Sequence, residues 1–291
     1  MLSPKKTLLK ALQTGGKILR SSLGRTRYRY KSPMNLVTRA DHSSEEAVCT
    51  ILRRRFPDHS ILAEESGESG KGSPYTWVVD PLDGTTNFAH GFPVACISIG
   101  LVHYSTPVLG GVYDPFRDEL FWAEKGKGSY LNGKKIHVSK TQRLDESLLL
   151  TGFPYDRTRR SGFYVNFYRQ FMERCHDVRR SGAAALDLCW AACGRVDGFW
   201  EFKLRPWDVA AGKLIVEEAG GRVSDFSDRE WKALSAFGGE TLATNGRIHS
   251  EMLKILRNGR SWISGGSFLD RQKEPRRNPE RISPLSIRTR R

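Results

Sequence analysis

With 291 residues, 38% hydrophobic and 27% charged, the chain has a globular composition and enough length for one large domain or two closely packed ones. Its longest apolar stretch, around Val94 to Val102, falls far short of the roughly 20 residues that cross a bilayer, so no membrane span is expected. The net charge of +15 invites an anionic partner, whether a phosphorylated substrate, nucleic acid or a membrane surface.

Residues 1–40 contain no Asp or Glu, as in a transit peptide, but Leu8, Leu9, Leu12, Ile18 and Leu19 can share one helix face, and a retained helix is expected. Ser43-Ser44-Glu45-Glu46 has the form of a capping box, with Val48, Ile51 and Leu52 continuing an apolar face, which predicts a helix from Ser44 to Arg55. Asp41, just before it, reads as an N-terminal helix acid or as part of a site. Ile61-Leu62-Ala63 predicts a short strand delivering Glu64 and Glu65, followed by a mobile loop through Gly67, Gly70 and Gly72.

Trp77-Val78-Val79-Asp80 then predicts a buried strand that breaks into a tight turn at Pro81-Leu82-Asp83-Gly84 and opens a helix at Thr85-Thr86-Asn87-Phe88. A turn can bring Asp80 and Asp83 together, and oxygen ligands at that spacing suit Mg²⁺. Gly84 permits close backbone approach, and the amides that follow can hold phosphate. Ordinary turn chemistry would use the same residues.

Strands are predicted over 95–102, 107–113 and 119–123, with Asn132-Gly133 turning a hairpin. From residue 147 strands and helices alternate: strand 148–151, helices 163–172 and 183–193, strand 198–202, helix 209–219, strands 222–224 and 242–244, helix 249–256. This divides the chain into an N-terminal α+β part (1–146), a C-terminal α/β part (147–258) and a basic tail (259–291) expected to be disordered, with nine Lys/Arg against three Asp/Glu. Cys49, Cys96, Cys175, Cys189 and Cys193 form no CxxC pair, which predicts reduced thiols and a cytoplasmic location; Cys189 and Cys193 read as packing residues.

The stretch from Asp80 to Phe88, together with Ala63-Glu64-Glu65-Ser66 and Trp207-Asp208-Val209-Ala210-Ala211-Gly212, resembles the three signatures of the inositol monophosphatase family, in family order and from about Leu8 to Leu256. The resemblance implies an α/β (α+β) fold, a layered αβαβα sandwich of the sugar-phosphatase type, and a phosphoric monoester hydrolase. It also implies two or three Mg²⁺ ions per site. Glu64, Asp80 and the Leu82 carbonyl would hold the first, and Asp80, Asp83 and Asp208 the second. Asp41 and Thr85 would be a hydrogen-bonded pair orienting the attacking water, with Glu64 assisting.

Substrate contacts implied in the same way are Asp83, Gly84, Thr85, Thr86, Gly182, Ala183, Ala184, Glu201 and Asp208, with Arg179 as a cation and Arg180 as its alternative. Asp208 also reads as a helix N-cap and Glu201 as an exposed strand-end acid. Thr86 stands where the nucleotide 3′-phosphatase branch usually has Lys, which favours a small phosphorylated polyol, inositol 1-phosphate first and fructose 1,6-bisphosphate or another sugar phosphate as alternatives. Asn35 replaces a common Asp and Ala63 a common Gly, neither of them a proposed ligand. A homodimer and lithium sensitivity are further expectations. The competing reading is an RNA-associated or transcription-associated factor on the same fold, with weak nucleic-acid contact through the tail, although Trp262 and Phe268 are the tail's only aromatics.

Overall fold

The computed structural model describes residues 3–264 except Pro33 and Lys71. The first elements are α1 (Pro4–Ser22), β1 (Tyr28–Ser32), β2 (Asn35–Thr38), α2 (Arg39–Arg55), β3 (Ser60–Ala63), β4 (Gly67–Ser69), β5 (Tyr75–Asp83) and α3 (Thr85–Ala89). A meander follows: β6 (Cys96–His103), β7 (Thr106–Asp114), β8 (Glu119–Glu124), β9 (Gly128–Leu131) and β10 (Lys134–Ile136). The remaining elements are β11 (Leu148–Thr151), α4 (Arg157–Met172), β12 (Asp177–Arg179), α5 (Ala184–Ala192), β13 (Gly198–Phe202), α6 (Pro206–Glu218), β14 (Arg222–Ser224), β15 (Glu240–Thr244) and α7 (His249–Ser264).

Strand periodicity builds the layers. In β5, Trp77 and Val79 point to one side and pack with Leu8, Leu12 and Leu19 of α1 and with Val48 and Leu52 of α2. Val78 points to the other side, into a core made by α5 and α6. The far side of that core is the second sheet, through Leu150, Phe199 and Ala243. Its opposite face, with Leu149, Trp200 and Leu242, is covered by Phe167 and Phe171 of α4 and by Met252 and Leu256 of α7. The succession is therefore helices, sheet, helices, sheet, helices, a mixed α/β layered fold. The first sheet has strand order β10-β9-β8-β7-β6-β5-β3-β4, and the second β12-β11-β13-β15-β14. β3 runs parallel to β5, and β11 parallel to β12 and β13.

Several expected boundaries move. α2 starts five residues before Ser44, because Thr38 caps it and Asp41, not Glu46, closes the capping box. The loop expected after Glu65 includes a strand: Gly67–Ser69 pairs antiparallel with Ile61–Ala63, and Lys71 lies outside the described residues. α7 continues to Ser264, past the expected tail boundary, and the tail after it lies outside the described residues. Among the described residues no helix is long and apolar enough to cross a membrane.

His249, fully buried at the start of α7, ties that helix to the second sheet. Its Nε2 lies 3.0 Å from Ser224 Oγ and its Nδ1 2.9 Å from Thr244 Oγ1. Ser224 Oγ donates to the Asp225 carbonyl, while Thr244 Oγ1 accepts the Gly246 amide. Ser224 spends its proton on the Asp225 carbonyl, so Nε2 carries the ring proton, and in the neutral ring that burial favours, Nδ1 accepts from Thr244. Burial, with Arg222 and Arg257 nearby and Asp228 opposing them, lowers its pKa to about 4. A base depressed on folding stabilises the fold above its unfolded pKa, and that stability is lost as pH falls from about 6.5 towards 4, by up to ~3 kcal/mol. Thermal unfolding over that window should show the loss in the wild type and a flatter profile in His249→Gln. Equal slopes would exclude His249 as the cause.

Candidate active site

The site forms where β5 breaks. Pairing with β6 is regular through Asp80–Ser98, then shifts before Asp83–Cys96, so the residues between leave the ladder while both aspartates stay at the strand end. Gly84 follows at φ +89°, and a Cβ there would lie 2.8 Å from the Val94 carbonyl oxygen, so the position demands glycine on both counts. The bulge is pinned from two sides: Ser44 Oγ of α2 donates to the Pro81 carbonyl at 2.9 Å, and Leu82 N–H donates to Asp80 Oδ1 at 2.9 Å. Asn87 of α3 reaches across to the second half of the chain, its Nδ2 donating to the Val94 carbonyl at 2.8 Å and to the Ser181 carbonyl at 2.9 Å.

A cavity of about 620 Å³ opens over this break. Glu64, Asp80, Leu82, Asp83 and Asp208 line it, with Gly84, Thr85, Thr86, Gly182, Ala184 and Glu201. Asp41 and Ala183 are buried just outside the lining. Thr85 Oγ1 lies 3.1 Å from Asp41 Oδ1 and 3.0 Å from the Leu82 carbonyl oxygen. Asp41 Oδ2 accepts the Thr38 amide at 2.7 Å and the Thr38 hydroxyl at 2.6 Å. Asp41 is therefore both a helix acid and the partner of Thr85. Burial raises its pKa, against the hydrogen bonds that favour its charge.

The start of α5 serves a carboxylate: the Ala185 amide donates to Asp83 Oδ2 at 2.7 Å, and Cys96 Sγ lies 3.7 Å from the same oxygen. Asp208 is the third residue of α6 rather than its N-cap, and its Oδ2 accepts the Arg205 amide at 2.6 Å. Glu201 is buried, not an exposed strand end, and burial with the Asp187 charge pushes its pKa well up. Arg179 does not face the cavity. Strand alternation puts Asp177 and Arg179 on the same exposed face, where they form an ion pair, and the next residue, Arg180, lines the pocket instead.

Burial and mutual repulsion dominate the acid cluster. Asp80 is pushed well above its ordinary range by burial and by Glu64, Asp83 and Asp208; Asp208 is raised by burial, Asp83 and Glu64; Asp83 rises to about 7, chiefly through burial. Four converging carboxyls with one shared opening are an oxygen donor set suited to a hard divalent cation, which would relieve that repulsion. Among the described residues, no three such groups are already arranged as a ligand shell. One of the four is held elsewhere: Glu64 Oε1 accepts from Lys31 Nζ at 2.9 Å.

Lys31, on β1, was not legible as a site residue. Its ammonium bonds both Glu64 and Glu65; burial alone would lower its pKa, but the two glutamates outweigh burial and raise it. Phe153, Tyr155, Arg157, Lys203 and Arg205 also line the cavity, and only folding reveals them. Gly152 has a specific reason: a Cβ there would collide with the Glu201 carboxylate. Gly152→Ala should displace Glu201 and raise KM several-fold more than it lowers kcat. An unchanged KM would remove Glu201 from substrate contact.

The family profile described as "Inositol monophosphatase family" matches residues 4–261. The chain is 50% identical over 233 residues to "Inositol-1-monophosphatase" of Synechocystis sp., covering 79% of each. It is 42% identical over 228 residues to "Nus factor SuhB" of Escherichia coli K12, covering 78% of this chain and 84% of that one. The solved inositol monophosphatase of Anabaena superposes with a TM-score of 0.79 at 44% identity, over 87% of this chain and 94% of the other. The profile spans all of the elements that build the cavity, and the chain belongs to the inositol monophosphatase family of phosphoric monoester hydrolases.

Proposed function

We propose that the chain hydrolyses a small polyol phosphate monoester, inositol 1-phosphate before other sugar phosphates, with Mg²⁺ as cofactor. The observation that carries this reading is one cavity holding Glu64, Asp80, Asp83 and Asp208 beside the Thr85–Asp41 hydrogen bond, with Glu201 also in its wall. When bound, two or three Mg²⁺ ions would supply the charge that neutralises a phosphate dianion and lowers the pKa of water.

The chain's own groups do the rest. Asp41, held by Thr38, accepts the Thr85 hydroxyl proton, which leaves a Thr85 lone pair to accept a hydrogen bond from a water and aim it in line with the ester. Thr85 thus orients the nucleophile and does not itself become phosphorylated. Glu64, in the same cavity, assists in deprotonating that water. Asp83, Gly84, Thr85, Thr86, Gly182, Ala184 and Asp208 surround the phosphate and its leaving oxygen, Ala183 supports them, and Arg180 replaces Arg179 as the nearby cation. Glu201 accepts a hydrogen bond from a hydroxyl of the polyol.

The panel that tests this consists of inositol 1-phosphate, fructose 1,6-bisphosphate, histidinol phosphate and adenosine 3′,5′-bisphosphate, each with Mg²⁺, with chelator and with lithium. Phosphate release should be greatest from inositol 1-phosphate, stop with chelator and fall with lithium. Folded, Mg²⁺-binding protein that releases phosphate from none of them would overturn the reading. A homodimer and a cytoplasmic location accompany the proposal.

A second reading draws on the relative named as a Nus factor: contact with RNA through the basic tail, which lies outside the described residues. RNA affinity that falls steeply with salt and disappears on truncation after Arg257 would support it, and retention after truncation would remove the tail from it.

A further inference from the structure

We propose that the protein carries a second, non-catalytic anion site that takes the phosphate group of a phosphorylated ligand, where the end of α1, the loop after it and the first turn of α2 meet. A cavity of about 520 Å³ lies there, within the roughly 300–1,000 Å³ usual for small-molecule sites. Arg25, Arg27 and Arg39 line it together with the hydroxyl residues Ser22, Thr26 and Ser43. It shares no lining residue with the catalytic cavity.

Charge sets the character of this cavity. Elsewhere among the described residues Arg143, Arg195, Arg222 and Arg229 each pair with a carboxylate, while Arg53, Arg54 and Arg55 of α2 stand without an ion pair but line no cavity described above. Among the described residues, Arg25, Arg27 and Arg39 have no acidic partner. Residues 1–40 hold ten Lys/Arg and no Asp or Glu, and of the first acids on α2, Asp41 is bonded to Thr38 and Thr85 and Glu45 to the Glu65 amide. Three like charges around one concavity repel unless an anion sits between them. Guanidinium groups present planar pairs of N–H donors that match phosphate oxygens, and hydroxyls can complete the set. The guanidiniums make the site rather than the end of α2, because that helix is already capped: Thr38 accepts the Ala40 amide, and Asp41 accepts the Thr38 amide.

The phosphate can belong to a free small molecule or to a polynucleotide backbone, and two probes separate these sources. Inorganic pyrophosphate and a labelled uridine oligonucleotide would be titrated into the full chain in chelator, which keeps metal out of the catalytic cavity. Pyrophosphate should bind the wild type, and Arg25→Gln/Arg27→Gln should weaken it by about tenfold or more, as loss of charge-assisted hydrogen bonds does. Arg180→Gln, in the catalytic cavity, should bind as the wild type does. Melting temperature and circular dichroism check the fold, and Arg39→Gln serves as the second variant if the double change fails to fold. Oligonucleotide binding that exceeds pyrophosphate binding and falls in the same variants supports the site and assigns it to a polynucleotide. Pyrophosphate binding alone supports it and assigns it to a small phosphorylated molecule. No binding of either probe to the wild type overturns the proposal. So does binding that survives the Arg25/Arg27 and Arg39 changes, or that is lost only in Arg180→Gln.

Discussion

Asp83→Asn should lower Mg²⁺-dependent phosphate release by about a thousandfold or more, since a metal's stabilisation of transition-state charge is worth several kcal/mol and each 1.4 kcal/mol is about tenfold in rate. The substitution is chosen because it separates chemistry from folding. One Asp83 oxygen is anchored by the Ala185 amide and faces Cys96. An asparagine carbonyl can keep the amide contact, so α5 stays in place. The charge is what is lost. In chelator the variant should unfold at a higher temperature than the wild type at neutral pH, because one member of a buried, mutually repelling carboxylate cluster is gone. With Mg²⁺ the order should reverse, as only the wild type gains ion-binding stability. Turnover within tenfold of the wild type, or identical Mg²⁺ affinity by calorimetry, would sink the assignment of Asp83 as a ligand.

Thr85→Val should cost kcat about a hundredfold to ten-thousandfold, the range for losing a positioned proton-transfer group, with little change in KM. Valine matches threonine in shape but cannot bridge Asp41 to a water. Thr85→Ser retains the hydroxyl and should recover most of the rate. Asp41→Asn is expected to approach the same loss, because Asp41 acts through Thr85. It also weakens the cap of α2, which costs about 1 kcal/mol of stability. The cycle is the decisive measurement. If the two residues act as one unit, Thr85→Val/Asp41→Asn should be scarcely slower than Thr85→Val alone. Fully multiplied effects would mean that Asp41 works independently, and a lost KM in place of kcat would move Thr85 to substrate binding.

The stretch at the centre of the candidate site was largely legible because its residues are contiguous. Asp80, Asp83, Gly84 and Thr85 occupy one strand end, one turn and one helix start, and local conformation alone brings them together. The alternating strands and amphipathic helices were legible for a related reason, since side-chain period follows backbone geometry. Boundaries were less so. Ser43-Ser44-Glu45-Glu46 has the pattern of a cap, yet Thr38 and Asp41 form the real one and leave Ser43 and Glu46 inside the helix, while Ser44 and Glu45 serve tertiary contacts: Ser44 bonds the Pro81 carbonyl, and Glu45 accepts the Glu65 amide.

Residue order by itself determined the carboxylate types, the glycine-dependent turn, the family and the kind of layers the chain would build. Tertiary structure alone decided which distant groups face one another. Register on β12 turns Arg179 outward to Asp177 and leaves Arg180 for the cavity. The β1 strand carries Lys31 across more than thirty residues of sequence to Glu64 and Glu65. Gly152 is required only because Glu201 packs against it. Local preference acts within a few residues, whereas these contacts depend on how sheets, helices and loops close over a shared core.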